Sequence, residues 1–157
     1  MGTRTIRQGN DHILREKCPE IKEITPEILR LIDDMVETMH SADGIGLAAP
    51  QIGIPKRLVV IDIQEGDIMV LVNPRVVEQS GEDLAIEGCL SFPGLYGEVP
   101  RASRVKVEAM NKDGEIVVVD ADGLLARALQ HEIDHLNGVL FVDRVTRFVR
   151  PEEEGQG

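Results

Sequence analysis

Gly123-Leu124-Leu125-Ala126-Arg127-Ala128-Leu129-Gln130-His131-Glu132-Ile133-Asp134-His135-Leu136-Asn137-Gly138 has the pattern of a helix that is apolar around most of its circumference. Wound at about 100° per residue, Leu124, Leu125, Ala128, Leu129 and Leu136 cover most faces, while Arg127, Gln130 and Asp134 share one polar stripe. This predicts a mostly buried helix from about Asp122 to Asn137, stopped by Gly138. Upstream the pattern changes to that of strands. Leu58-Val59-Val60-Ile61 and Met69-Val70-Leu71-Val72 read as buried strands, the second stopped at Asn73-Pro74. Val105, Val107 and Ala109 alternate with Lys106, Glu108 and Met110 in a half-exposed strand, and Asn111-Lys112-Asp113-Gly114 turns it into a further strand over Glu115 to Val119.

Farther back, Thr25 and Pro26 open a helix to about Met39 in which Ile28, Leu31, Ile32, Met35, Val36 and Met39 form one apolar face. Gly44 to Gly53, rich in Gly and Ala, reads as an ordered loop or irregular strand. A helix, a run of strands and a second helix predict an α+β fold with antiparallel sheet. The expected organisation is one domain over residues 1–150, followed by an acidic flexible tail over 151–157 carrying Glu152, Glu153 and Glu154.

Composition narrows the function classes. With 157 residues and 42% hydrophobic content, the chain can bury a core without disulfides, which excludes disorder. Asp and Glu number 28 against 17 Lys and Arg, and the net charge of −11 argues against nonspecific nucleic-acid binding. No run approaches the roughly 18 apolar residues of a membrane span, and Met1 to Ile6 lacks the apolar segment of a signal peptide. The expected location is the cytoplasm, where Cys18 and Cys89 remain thiols and are judged separately.

The chemistry concentrates on the second helix. His131 and His135 stand at i and i+4, one turn apart on one face, so both imidazoles can reach a single metal ion, with Glu132 beside them to handle a proton. A catalytic site needs a third ligand and an open position. A third histidine six residues after the second would fall on Phe141, and an acidic ligand some twenty residues on would have to come from Glu152 to Glu154, beyond Pro151. The remaining soft ligand is Cys89, in Glu87-Gly88-Cys89-Leu90-Ser91; Cys18 has no such company.

Gly44-Ile45-Gly46-Leu47-Ala48-Ala49-Pro50-Gln51, Glu87-Gly88-Cys89-Leu90-Ser91 and Gln130-His131-Glu132-Ile133-Asp134-His135-Leu136 together resemble the three signature motifs of bacterial peptide deformylases. The likeness holds in order and spacing from about Thr5 to Val145. It implies antiparallel sheets packed around a central metal-binding helix. It also implies a metal-dependent hydrolase that removes the N-formyl group from the N-terminal formylmethionine of newly synthesised proteins and releases formate. Carried onto this chain, Cys89, His131 and His135 hold one divalent metal, Fe(II) in the cell, although Zn(II), Ni(II) or Co(II) also suit one thiolate with two imidazoles. Water activated on that metal attacks the formyl carbon, and Glu132 serves as general base and then acid. The Gln51 amide and the Leu90 N–H steady the charge on the formyl oxygen. Ile45, Gly46 and Gly88 align the peptide as an added strand, and Ile45, Ile86, Leu124 and Ala128 line the methionine pocket. Arg101 has two roles open, reaching the peptide backbone or pairing with a carboxylate. The implied partners are N-formylmethionyl nascent polypeptides met in transient proximity to the ribosome, with no direct nucleic-acid or membrane contact. Two other readings stand beside this one: another metallopeptidase or amidase on the same helical motif, and a closed structural zinc site with His40 or Asp43 as fourth ligand.

Overall fold

Thr25 caps the first helix. Its hydroxyl accepts a hydrogen bond from the Ile28 N–H at 3.2 Å, Pro26 occupies the first turn, and α1 runs over Pro26–Ser41. The computed structural model describes residues 2–150, so the acidic tail expected over 151–157 lies outside the described residues. After α1 come β1 (Gly46–Ala48), a tight helical turn (Ala49–Ile52), β2 (Leu58–Ile61), β3 (Met69–Ser80), β4 (Asp83–Cys89) and β5 (Phe92–Arg101). They are followed by β6 (Arg104–Met110), β7 (Ile116–Asp122), α2 (Gly123–Leu136) and β8 (Arg147–Val149). Every strand pairing is antiparallel: β1-β2-β3-β6-β7 form one sheet and β4-β5-β8 a second.

Both faces of the larger sheet are covered, and β2 shows why its four residues are all apolar. Successive side chains alternate faces. Val59 and Ile61 pack with Leu129, Ile133 and Leu136 of α2, whereas Leu58 and Val60 pack with Ile28, Leu31, Met35 and Met39 of α1. On β6, Val105, Val107 and Ala109 join the α2 side, in keeping with their alternation.

One expectation changes. The strand beginning at Met69 does not stop at Asn73-Pro74 but continues to Ser80. Asn73 takes φ +53°, its side chain exchanges two 2.8 Å bonds with the backbone of Ile21, and the register shifts between Val72 and Arg75. A bulge lets the proline, which has no N–H for the ladder, stand inside a strand. The polar stripe of α2, in a helix predicted to be mostly buried, turns inward. Arg127 is only 7% exposed because the stripe turns toward β4 and β5, where buried charges find partners, so α2 lies between the two sheets. Gly138, at φ +74°, ends this helix as predicted. Among the described residues no helix is long and apolar enough to cross a membrane.

Candidate metal centre

Helical spacing sets His131 and His135 one above the other, with ring centroids 5.2 Å apart. Cys89 comes from the other sheet, at the tip of the β4–β5 hairpin, where the register is irregular between Glu87 and Cys89. Its Sγ lies 3.3 Å from His135 Nε2. One ligand atom from each of Cys89, His131 and His135 falls within 4.8 Å of the others, and among the described residues they are the one group so disposed. His131 Nδ1 lies 2.9 Å from Glu87 Oε1, which leaves Nε2 for coordination. A thiol and two imidazoles, with no fourth side-chain ligand among the described residues, fit a divalent transition ion with an open position. His40 does not close the set, because it pairs with Asp62 at 2.7 Å.

The field at the centre also suits a cation. Burial opposes the imidazolium of His131, yet Cys89 and the Glu87 carboxylate push its pKa up to about 10. Burial, with the charges of His131 and Arg101, holds His135 well below the ordinary imidazole value. In the metal-free protein a proton is thus drawn to the place where the donors converge, and a metal ion would displace it. Burial works against the Glu87 carboxylate too, but bonds from Arg101 and His131 hold it well below the usual carboxyl range. Glu132 is different: burial dominates and pushes it up to about 7, against the opposing charge of His131. Glu132 Oε1 and His135 Nδ1 are buried without a hydrogen-bond partner among the described residues. Such an atom beside three convergent donors marks a place for a ligand or water.

Gln51, in the turn after β1, is held from both ends. Its Oε1 accepts from the Ala48 N–H at 2.9 Å, and its Nε2 donates to Ser91 Oγ at 3.1 Å and lies 3.5 Å from Cys89 Sγ. A cleft of about 560 Å³ opens over the centre, and Ile45, Gly46, Gln51, Ile86, Gly88, Leu90, Leu124 and Ala128 line it with Cys89, His131 and Glu132. Terminal strands of both sheets, β1 with Gly46 and β4 with Gly88, border it. Arg101 does not line the cleft. Its guanidinium is buried on Glu87 (2.8 and 2.9 Å) and Asp134 (2.6 Å), so of its two roles carboxylate pairing is the one seen.

Residues 3–151 match the profile of the polypeptide deformylase family. The chain belongs to that family. A peptide deformylase of Desulfitobacterium hafniense is 55% identical over 145 residues, covering 92% of this chain and 96% of the relative. One from Acetivibrio thermocellus is 54% identical over 153 residues, covering 98% and 89%. The crystal structure of the peptide deformylase from Thermotoga maritima superposes with a TM-score of 0.89 at 41% identity, over 92% of this chain and 98% of that one. The deformylase family is one of metalloenzymes, which agrees with the donor set found here. Three residues of this centre were not singled out from sequence: Glu87, Arg127 and Ser91. Glu87 carried a readable signal, since in a strand it falls on the same face as Cys89 two residues later.

Proposed function

We propose that this chain is the metal-dependent hydrolase that removes the N-formyl group from formylmethionyl nascent polypeptides and releases formate. The observation that carries the reading is the convergence of Cys89, His131 and His135 on one point beside the unpartnered carboxylate of Glu132, at the floor of a cleft bordered by two terminal strands. Cys89, His131 and His135 would hold a divalent ion, Fe(II) in the cell, which when bound would supply Lewis acidity toward water and the formyl oxygen. Glu132 takes a proton from the attacking water at its carboxylate and passes it to the departing amine nitrogen, one carboxylate serving both steps because they are sequential. The Gln51 amide turns its weaker contact, the 3.5 Å approach to Cys89 Sγ, toward the formyl oxygen, and the Leu90 N–H completes the pair of donors. Gly46 and Gly88 leave room for the peptide to pair along the β1 and β4 edges, and Ile45, Ile86, Leu124 and Ala128 receive the methionine side chain. Residues 1–150 act as one catalytic unit, working in the cytoplasm in transient proximity to the ribosome without binding nucleic acid or membrane.

The test is formate release from a formyl-Met tripeptide, with acetyl-Met and blocked internal peptides as controls. Release of formate from the first alone supports the reading. Cleavage of internal bonds with no formate would replace it by a metallopeptidase on the same helical motif.

A further inference from the structure

Arg127 and His131 are neighbours one turn apart on α2, and both bond the carboxylate of Glu87, two residues before Cys89 on β4. Arg127 Nη1 donates to Glu87 Oε2 and, over 2.9 Å, to the Val99 carbonyl of β5. Its Nη2 donates to the Asp83 carbonyl at 2.8 Å, where β4 begins. From β5, Arg101 grips Glu87 through Nε and Nη2. Glu87 thus receives bonds from two guanidiniums and faces one imidazole, with both oxygens occupied. The side chains of Arg127 and Glu87 are 9% and 5% exposed, so water does not stand in for these bonds.

The thiol and the two imidazoles reach the centre on different elements, and their meeting depends on how β4 sits against α2. The Arg127–Glu87 pair is a direct tie between those elements, made within two residues of Cys89 and one turn of His131. We infer that Arg127 is a positioning residue of the metal centre: by clamping Glu87 to α2, it holds β4 where Cys89 meets the two histidines and keeps Glu87 aimed at His131 Nδ1. The inference rests on the reading of Cys89, His131 and His135 as metal ligands. It differs from a role in folding alone, because a clamp of this kind sets metal affinity in protein that remains folded.

The experiment titrates the metal-free full chain with Co(II) alone, following the thiolate-to-cobalt and d–d absorption bands. The wild type is compared with Arg127→Met, Arg127→Lys, Glu87→Gln and the Arg127→Met/Glu87→Gln pair, each checked for a cooperative melt. Arg127→Met is expected to weaken Co(II) binding about 10- to 100-fold and to alter the d–d bands. Arg127→Lys should recover part of the affinity, since one ammonium cannot serve Glu87, Val99 and Asp83 together. In the Glu87→Gln background, Arg127→Met should cost less than about threefold, because both act through one carboxylate. Wild-type Co(II) affinity and spectrum in folded Arg127→Met, or fully additive losses in the pair, would overturn the inference. If Arg127→Met does not fold, Arg127→Lys and Arg127→Gln carry the same comparison. Absence of Co(II) uptake by the wild type would remove the metal reading itself, and this inference with it.

Discussion

The backbone of Gly46 runs against the carboxylate of Glu132: a Cβ on residue 46 would stand 2.7 Å from Glu132 Oε2 and 3.0 Å from its Cγ. The neighbour is the end of a side chain, so Gly46→Ala displaces the proposed base rather than the fold. The expected outcome is a melting temperature close to wild type, retained metal and a loss of roughly 100-fold in kcat/KM, the scale of a catalytic group misplaced by about 1 Å. Formate release alongside a thermal melt measures both.

Glu132 itself is assigned to move protons and not to bind metal, because its Oε1 is unpartnered and it stands outside the Cys89, His131, His135 group. Glu132→Ala should therefore keep its metal by elemental analysis while turnover falls by about 10²- to 10⁴-fold. Near-normal turnover would sink the assigned role.

The same carboxyl predicts a pH-dependent stability. Unfolded, Glu132 titrates near 4.5; in the folded metal-free protein burial pushes it up to about 7. Between these values the folded state holds the extra proton, so stability falls as pH rises through that window, and the deficit is complete above about pH 7. Glu132→Gln, which mimics the neutral form, is expected to stabilise the metal-free protein by about 2 kcal/mol at pH 8 and by little at pH 4.5. Urea melts at the two pH values decide; an equal gain at both would show that the charge of Glu132 carries no such cost.

Cys89 is half-buried at the cleft while Cys18 is buried, and both are free. Chelation should abolish activity, and Ni(II) or Co(II) should restore it durably. Iron-loaded enzyme in air should lose activity as the Cys89 thiolate is oxidised, with the added oxygen mass on the Cys89 peptide and not on that of Cys18. Lasting activity of the iron form in air would count against iron as the working metal.

The parts of this centre that depend on local spacing were legible without coordinates. His131, Glu132 and His135 follow from one helical repeat, and the buried character of β2 follows from its unbroken apolar run. What stayed hidden depends on how distant segments meet. Arg127 reads only as one member of a polar stripe, because the partner of its charge, Glu87, lies 40 residues away in sequence and on β4. Asn73-Pro74 reads as a strand end because the bulge that accommodates it is fixed by Ile21, on a segment with no periodic signal.

Gln51 tests whether the cleft works through fixed donors. The residue has two separable duties: Oε1 accepts from the Ala48 N–H, which shapes the turn, and Nε2 faces Ser91 and Cys89. Gln51→Glu keeps an acceptor for Ala48 but replaces the amide donor with a negative oxygen, where the formyl oxygen gathers negative charge. Gln51→Ala removes both duties. If the donor matters for the reaction, both variants lose about 10²- to 10³-fold in kcat, and Gln51→Glu keeps more of the wild-type stability than Gln51→Ala. If Gln51 serves only the turn, Gln51→Glu retains near-wild-type turnover and the oxyanion role is lost. Formate-release kinetics on both variants, with their melting temperatures, separate these outcomes because one substitution alters the donor while the other also alters the turn.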